Sequence, residues 1–220
     1  MIDMHTHILP NVDDGAKSID ISFKLLEEEI KEKISTVYLT PHQNKNNLCK
    51  DNLIKQFNIF KEQALNYPIE LKLGSEVYYY EGFKRDLLGG KILTMDDSKY
   101  VLLEFSTRIE ENIVDILYDL SLTGYKIILA HIERYPYLKC SDYDEIHKYA
   151  KIQINSKSLL SKEYKKQMKY LLKNDLIDFM ASDCHDLDRR NVEFIEELKY
   201  LEKKYKNTYL KVTKNYNFHE

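Results

Sequence analysis

The sequence predicts an α/β fold, a parallel sheet closed into a distorted, TIM-like (β/α)7 barrel. Three observations carry this reading. Strand-like and helix-like patterns alternate through seven steps, nothing in the 220 residues marks an internal boundary, and metal-compatible side chains stand where the candidate strands end. Alternating βα units build parallel sheets, and barrels of such units place their sites at the C-terminal strand ends.

The elements follow in order. MIDMHTHIL reads as the first strand, and Ile19, Phe23, Leu26, Ile30 and Ile34 recur at helical spacing behind it. STVYLTPH is a β-rich run stopped at Pro41, followed by a helix through Leu53, Phe57, Phe60 and Ala64. IELKLGSEVYYY and KYVLLEF read as strands, IVDILYDLSL as a helix, and KIILAH as a buried strand. The alternation continues with DEIHKYA, KIQIN, LLSKEYKKQMKYLLK, LIDFMAS and NVEFIEELKYLEKKY as helix, strand, helix, strand and helix.

Composition bounds the function. With 43% hydrophobic and 31% charged residues the chain suits one globular domain over residues 1–220, and a net charge of −3 offers no broad field for nucleic acid. No apolar run approaches the ~20 residues that span a bilayer, and the N-terminus lacks a signal-like pattern, so a cytoplasmic protein is expected. Cys49, Cys140 and Cys184 are too scattered for a disulfide framework or a metal knuckle, and each is expected to be a small buried hydrophobe. The 18 tyrosines read as compositional bias.

His5 and His7 lie two apart on the first strand, so they leave one face and can share a metal ion, although HxH alone is a weak signal. The remaining strand ends strengthen it. His42 follows STVYLTP, Glu76 follows LKLGS, Glu104 closes KYVLLE, His131 follows KIILA, and Asp183 and His185 follow LIDFMAS. In a parallel barrel these ends converge on one face. His147 and His219 fall elsewhere and read as a helix-surface residue and a tail residue. In the first loop Asp13 reads as a turn former or helix cap, and Asp14 as a ligand. Imidazoles with carboxylates and no thiolate suit Mn²⁺, Fe²⁺ or Zn²⁺, with manganese expected and Glu76 able to bridge two ions.

The strings DMHTHILPNVDDGA, TPH, GSEVYY, LLEF, GYKIILAHIERY and ASDCH resemble the polymerase and histidinol phosphatase (PHP) superfamily. Within it they are most similar to the bacterial metal-dependent tyrosine-protein phosphatases of capsular and exopolysaccharide systems. The resemblance runs from Met1 to about Arg190. It implies a PHP-type barrel, a trinuclear metal centre and removal of phosphate from the phosphotyrosine tail of a tyrosine autokinase that controls polysaccharide export. It implies His5, His7, Asp14, His42, Glu76, Glu104, His131, Asp183 and His185 as ligands, and Arg134 and Arg190 as phosphate contacts. Two positions depart from the pattern. Asn11 replaces a usual glycine, a mild change because Asn tolerates left-handed geometry, and Asn191 replaces a common proline, which leaves Arg189 as an alternative to Arg190. Arg134 also has a plainer reading as a surface ion pair with Glu133 or a neighbour. The helix LLEEEIKEKI lacks the basic run that resembling proteins use for assembly, so a homo-oligomer stays open.

A phosphomonoester resists attack because its charge repels nucleophiles; a metal cluster answers by supplying hydroxide at neutral pH and cancelling phosphoryl charge. Three rivals stand beside this reading. Cys184 and Arg190 satisfy the C-x5-R spacing of cysteine-dependent phosphatases, but HDLDR between them carries two carboxylates and no glycine, which opposes a thiolate. A small ester such as histidinol phosphate is an alternative substrate. A metal-stabilised binding module without turnover is the third.

Overall fold

The computed structural model of the protein describes residues 1–46 and 49–219. In chain order its elements are β1 (Ile2–Thr6), α1 (Ile19–Lys31), β2 (Thr36–Leu39), β3 (His42–Gln43), α2 (Lys50–Gln63), β4 (Glu70–Leu73), β5 (Glu76–Tyr78) and α3 (Phe83–Leu88). They continue with β6 (Tyr100–Glu104), α4 (Ile113–Ser121), β7 (Lys126–Leu129), α5 (Cys140–Tyr149), β8 (Ala150–Asn155), α6 (Lys165–Lys173), β9 (Phe179–Ala181), α7 (Ile195–Lys204) and α8 (Lys206–Thr213).

All strand pairings are parallel, in one sheet of order β1-β2-β4 and another of order β3-β5-β6-β7-β8-β9. Two of the predicted strands are therefore broken. STVYLTPH divides into β2 and β3 at Thr40–Pro41, where proline has no N–H for a ladder. IELKLGSEVYYY divides into β4 and β5 at Gly74–Ser75; a Cβ on Gly74 would stand 2.6 Å from the Met95 sulfur, so a larger residue there would require the Met95 side chain to shift. Each break carries its chain from one sheet to the other. At the far edges β1 meets β9: Asp183 N–H donates to the His5 carbonyl and His7 N–H to the Cys184 carbonyl, both at 2.9 Å.

Side-chain alternation divides the core. Val37, Leu39, Val101, Leu103, Ile127 and Leu129 pack toward the helices, against residues such as Leu25, Leu26, Leu117 and Ile146. Ile2, Met4, Tyr38, Tyr100, Leu102, Ile128 and Ala181 form a second apolar cluster, closed by Phe218, whose ring meets Tyr38 edge-on at 5.1 Å. The β1–β2 register shifts between Asp3 and Thr6, a bulge that re-aims a strand locally and sets His5 and His7 beyond Met4.

The helices start where local chemistry favours them. Ser18 Oγ accepts the Ile21 N–H at 3.3 Å to cap α1, and Asn112 Oδ1 accepts the Asp115 N–H at 3.4 Å to cap α4. LLSKEYKKQMKYLLK is helical only from Lys165; residues 159–164 form bends and a turn after the 3-10 turn at Ser156–Ser158. NVEFIEELKYLEKKY is helical only over α7. The cysteines also correct the expectation: Cys49 is exposed, Cys140 is intermediate, and only Cys184 is buried.

Candidate active site

The centre grows from the bulge in β1. His5 and His7 are buried beside Glu76 at the start of β5 and Asp183 just beyond β9. His5 Nε2 lies 3.3 Å from Glu76 Oε2 and 3.5 Å from Asp183 Oδ1; His7 Nε2 lies 3.2 and 3.5 Å from the same atoms. One ligand atom from each of these four residues falls within 4.8 Å of the others. Two further groups meet the same limit: His7, Asp14, His42 and His185, and His42, Glu76 and Glu104. His7, His42 and Glu76 are shared, so the groups form one continuous cluster. His131 joins it through Nε2, 2.9 Å from Glu76 Oε1 and 3.5 Å from Glu104 Oε1.

The surroundings leave imidazole lone pairs aimed inward. Asp13 Oδ2 can only accept, so His7 Nδ1 donates to it at 2.8 Å, leaving Nε2 for the centre. The Asp183 carbonyl likewise takes His185 Nδ1–H at 2.9 Å. Gln153 Oε1 accepts the His131 backbone N–H at 2.7 Å, which fixes its amide orientation, and takes His5 Nδ1–H at 3.3 Å. Buried atoms lacking a hydrogen-bond partner in the described structure include His185 Nε2, Glu76 Oε2 and His131 Nδ1. Three orphaned acceptors or donors in one polar cluster are costly unless something completes them. A nitrogen–oxygen donor set with inward lone pairs fits divalent transition metal ions.

Electrostatics agrees. Burial opposes charge on His5 and His42, but Glu76 together with Asp183 holds His5 up to about 9, and Glu76 with Asp14 holds His42 up to about 11. Burial also opposes ionisation of Glu76, yet His5 and His42 keep it well below the usual carboxylate range. Burial and the Glu76 charge push Glu104 up to about 7, while burial and neighbouring His7 push His185 down to about 3. Protons on some imidazoles thus balance the carboxylates in the bare polypeptide, and metal ions binding there would displace them.

Two guanidinium groups border the cluster. Arg134 Nη1 stands 3.3 Å from Asp183 Oδ2, and Arg190 Nη2 donates to Asp183 Oδ1 at 2.9 Å with Nη1 3.5 Å from Asp14 Oδ2. Both are about one-third exposed, so they face the buried centre and solvent together. Arg134 does not pair with Glu133, which is buried and accepts the Asn155 N–H at 3.0 Å. Arg189 is exposed and its carbonyl takes Lys157 Nζ at 3.0 Å, so Arg190 is the arginine at the cluster. Asp186 shapes this loop by accepting the N–H groups of Asp188, Arg189 and Arg190 at 2.8, 2.8 and 3.1 Å.

Two residues of the cluster have left-handed backbone geometry. His131 has φ 31° and Asp183 φ 56°, left-handed values that non-glycine residues adopt at a cost where function or packing demands it. Asn11 has φ 59°, the conformation its usual glycine substitute would favour. Gly15 is packed on His7, whose carbonyl would stand 2.1 Å from any added Cβ. The C-x5-R alternative fails on geometry: Cys184 is fully buried, its thiol pushed far up by burial and by Glu29, and its Sγ lies 3.8 Å from Glu29 Oε1. His147 is a helix residue bonded to Asp178 at 3.0 Å, and His219 reaches Asp96 at 3.3 Å. The sequence reading missed Asp13 as the partner of His7, and also Gln153, Asn155 and Asp186. A carboxylate bracketed by ligands was the one available signal, since Gln and Asn carry no metal motif.

Parallel βα units bearing a shared imidazole–carboxylate cluster at their strand ends, with two arginines beside it, define an α/β protein with a candidate metal site. The chain belongs to the CpsB/CapC family of capsular polysaccharide synthesis, whose model matches residues 1–219. It is 33% identical to the tyrosine-protein phosphatase YwqE of Bacillus subtilis, covering 93% of this chain and 85% of that one. It is 32% identical to the tyrosine-protein phosphatase CpsB of Streptococcus agalactiae, covering 86% and 85%. A solved structure from the pair YwqE of Bacillus subtilis and CpsB of Streptococcus pneumoniae, described as metal-dependent tyrosine phosphatases, superposes with TM-score 0.88 at 30% identity, covering 96% of this chain and 91% of that one. Dihydropyrimidinase from Brevibacillus agri shares the fold alone, with TM-score 0.54 at 12% identity over 96% of this chain and 68% of that one.

Proposed function

We propose that the protein is a metal-dependent protein-tyrosine phosphatase acting on the phosphotyrosine tail of a bacterial tyrosine autokinase, and thereby on capsular or exopolysaccharide synthesis, in the cytoplasm. The observation that carries this reading is the continuous cluster of nine donors bordered by Arg134 and Arg190. The two sheets are read as arcs of one distorted PHP-type barrel in a single domain over residues 1–220, joined where β1 meets β9. Three donor groups with shared His7, His42 and Glu76 suit three ions, with Mn²⁺ favoured over Fe²⁺ or Zn²⁺ for the nitrogen–oxygen set. When bound, such ions lower the pKa of water and neutralise phosphoryl charge.

The chain's own residues do the rest. Arg134 and Arg190, reaching the cluster from positions about one-third exposed, grip phosphoryl oxygens with planar forks and exchange contacts with Asp183 for contacts with substrate. That grip strengthens as charge builds on those oxygens. Asp13, Gln153 and the Asp183 carbonyl hold three imidazoles in the tautomer with Nε2 inward. Tyrosinate, with a pKa near ~10, departs with little protonation, so no dedicated general acid is assigned. The test is hydrolysis of a phosphotyrosine peptide and of histidinol phosphate after chelation and stepwise return of Mn²⁺, Fe²⁺ or Zn²⁺. Metal-restored activity preferring the peptide supports the reading; full activity in verified metal-free protein, or preference for histidinol phosphate, overturns it.

A further inference from the structure

A cavity of about 480 Å³ opens directly beside the cluster, with His42 and Glu104 in its wall. The rest of its lining is Tyr78, Tyr79 and Tyr80, the run that composition alone gave no role, with Asn44, Lys45 and Asn46. Two of these rings are held in place. Tyr79 packs on Phe105 with ring centres 5.0 Å apart, and its N–H donates to the Glu104 carbonyl at 2.8 Å. The Tyr80 hydroxyl donates to Asp86 at 3.0 Å, and its ring meets Phe83 edge-on. Tyr78 differs, being 39% exposed.

Strand geometry relates Tyr78 to the centre. It follows Glu76 by two residues on β5, so both side chains leave the same face. At the rise of a parallel strand, Tyr78 stands about 6.6 Å further along that face toward solvent. Its register partner on β6 is Glu104. A phosphoryl group seated at His42, Glu76 and Glu104 would therefore project the rest of its ester alongside Tyr78.

Resting on the phosphotyrosine reading above, we infer that this cavity is an aromatic-ring subsite, with Tyr78 stacking on the phenyl ring of the phosphotyrosine while Tyr79 and Tyr80 form its rigid back wall. The site thereby selects an aryl phosphate over an alkyl one. Aliphatic phosphoesters reach the same metal cluster but leave the tyrosine wall unfilled, so discrimination comes from the residue side chain and not from the phosphate. An offset or edge-on aromatic pair supplies attraction beyond its buried area, which converts to about a two- to twelve-fold gain in affinity.

The experiment is calorimetric titration of the Mn²⁺-loaded protein with phenylphosphonate and methylphosphonate, neither of which is hydrolysed, using wild type, Tyr78→Phe, Tyr78→Leu and Tyr78→Ala. Wild type and Tyr78→Phe should bind phenylphosphonate more tightly than methylphosphonate. Tyr78→Leu and Tyr78→Ala should lose about two- to twelve-fold on the phenyl ligand and little on the methyl ligand. Because Tyr78→Leu keeps a strand-compatible apolar side chain, it reads the ring contact even if the alanine variant folds poorly. Equal binding of both ligands by wild type overturns the inference, as does equal weakening of both by Tyr78→Leu or no change in either. Phosphotyrosine-peptide hydrolysis is measured alongside. A ring preference lost in Tyr78→Leu without hydrolysis in wild type would overturn the phosphatase reading and leave the subsite standing.

Discussion

Replacing Asp13 with alanine separates positioning from ligation at the first wall of the centre. Its carboxylate makes three bonds: to His7 Nδ1 at 2.8 Å, from the His42 N–H at 3.0 Å and from the Gly15 N–H at 2.9 Å. The last closes the turn expected from the sequence, the first orients the His7 imidazole, and the second ties down the backbone of His42 at the start of β3. Removing the partner of a metal-facing histidine costs about 10- to 100-fold in metal affinity or activity. Freed from Asp13, His7 can also take the other tautomer, with Nε2 protonated and unavailable to the centre. Asp13→Ala should therefore bind Mn²⁺ with affinity reduced by about 10- to 100-fold but reach the wild-type number of ions at saturation. Competition with a chelator measures the affinity, and elemental analysis of the saturated protein measures the stoichiometry. Unchanged affinity would refute the positioning role; the loss of one ion at saturation would make Asp13 a ligand.

Three further outcomes are expected. Arg134→Ala and Arg190→Ala should each lower kcat by roughly 30- to 1000-fold, the equivalent of about 2–4 kcal/mol, with bound metal unchanged, whereas exposed Arg189→Ala should stay near wild type in steady-state kinetics. His5→Ala and Asp183→Ala should lose metal and activity while Cys184→Ser keeps both, as read by metal analysis and kinetics on folded variants; loss of activity in Cys184→Ser with metal intact would revive a thiolate mechanism. Glu29 is buried behind β1, where burial and the Asp3 charge raise its carboxyl well above the ordinary value of 4.5. The folded state keeps a proton that the unfolded chain releases, so its contribution to stability falls as pH rises from about 5 toward the folded value, and Glu29→Gln should flatten the decline of melting temperature over that range. Parallel melting profiles for the two proteins would contradict this.

The strand ends were legible because each pairs an apolar β run with an abrupt metal-compatible residue, and parallel topology gathers such ends without further information. Glu104 and His131 illustrate it: they end or follow consecutive strands of one sheet and meet at 3.5 Å. The breaks at Thr40–Pro41 and Gly74–Ser75 were not legible, since whether a strand continues depends on which neighbour it pairs with. The α3 helix escaped notice because it occupies only Phe83–Leu88, between Gly82 and Gly89, too short for a periodic signal. The start of α6 was placed too early because leucines and lysines at suitable spacing do not reveal the bends and turn over residues 159–164. Asp3 and Glu29 carry no motif either; their buried pairing is a consequence of α1 packing on β1. Cys49 and Cys140 were misplaced because average burial of a residue type says nothing about a position at a helix start.

The ring of Phe218 closes the apolar cluster formed by residues as distant in the chain as Ile2 and Phe179. The opposite rim, where β1 meets the segment after β9, joins His5 to Asp183. Both contacts join β1 to segments far along the sequence. During synthesis the first strand must therefore wait, unpaired on that side, until the segment after β9 has emerged from the ribosome. Contacts of such long sequence separation form slowly, and waiting apolar edges are exposed to wrong partners. Metal capture by the complete donor set then follows the emergence of Asp183 and His185, and a nascent chain halted before Asp183 would hold only part of the centre while lacking the contacts that shape it.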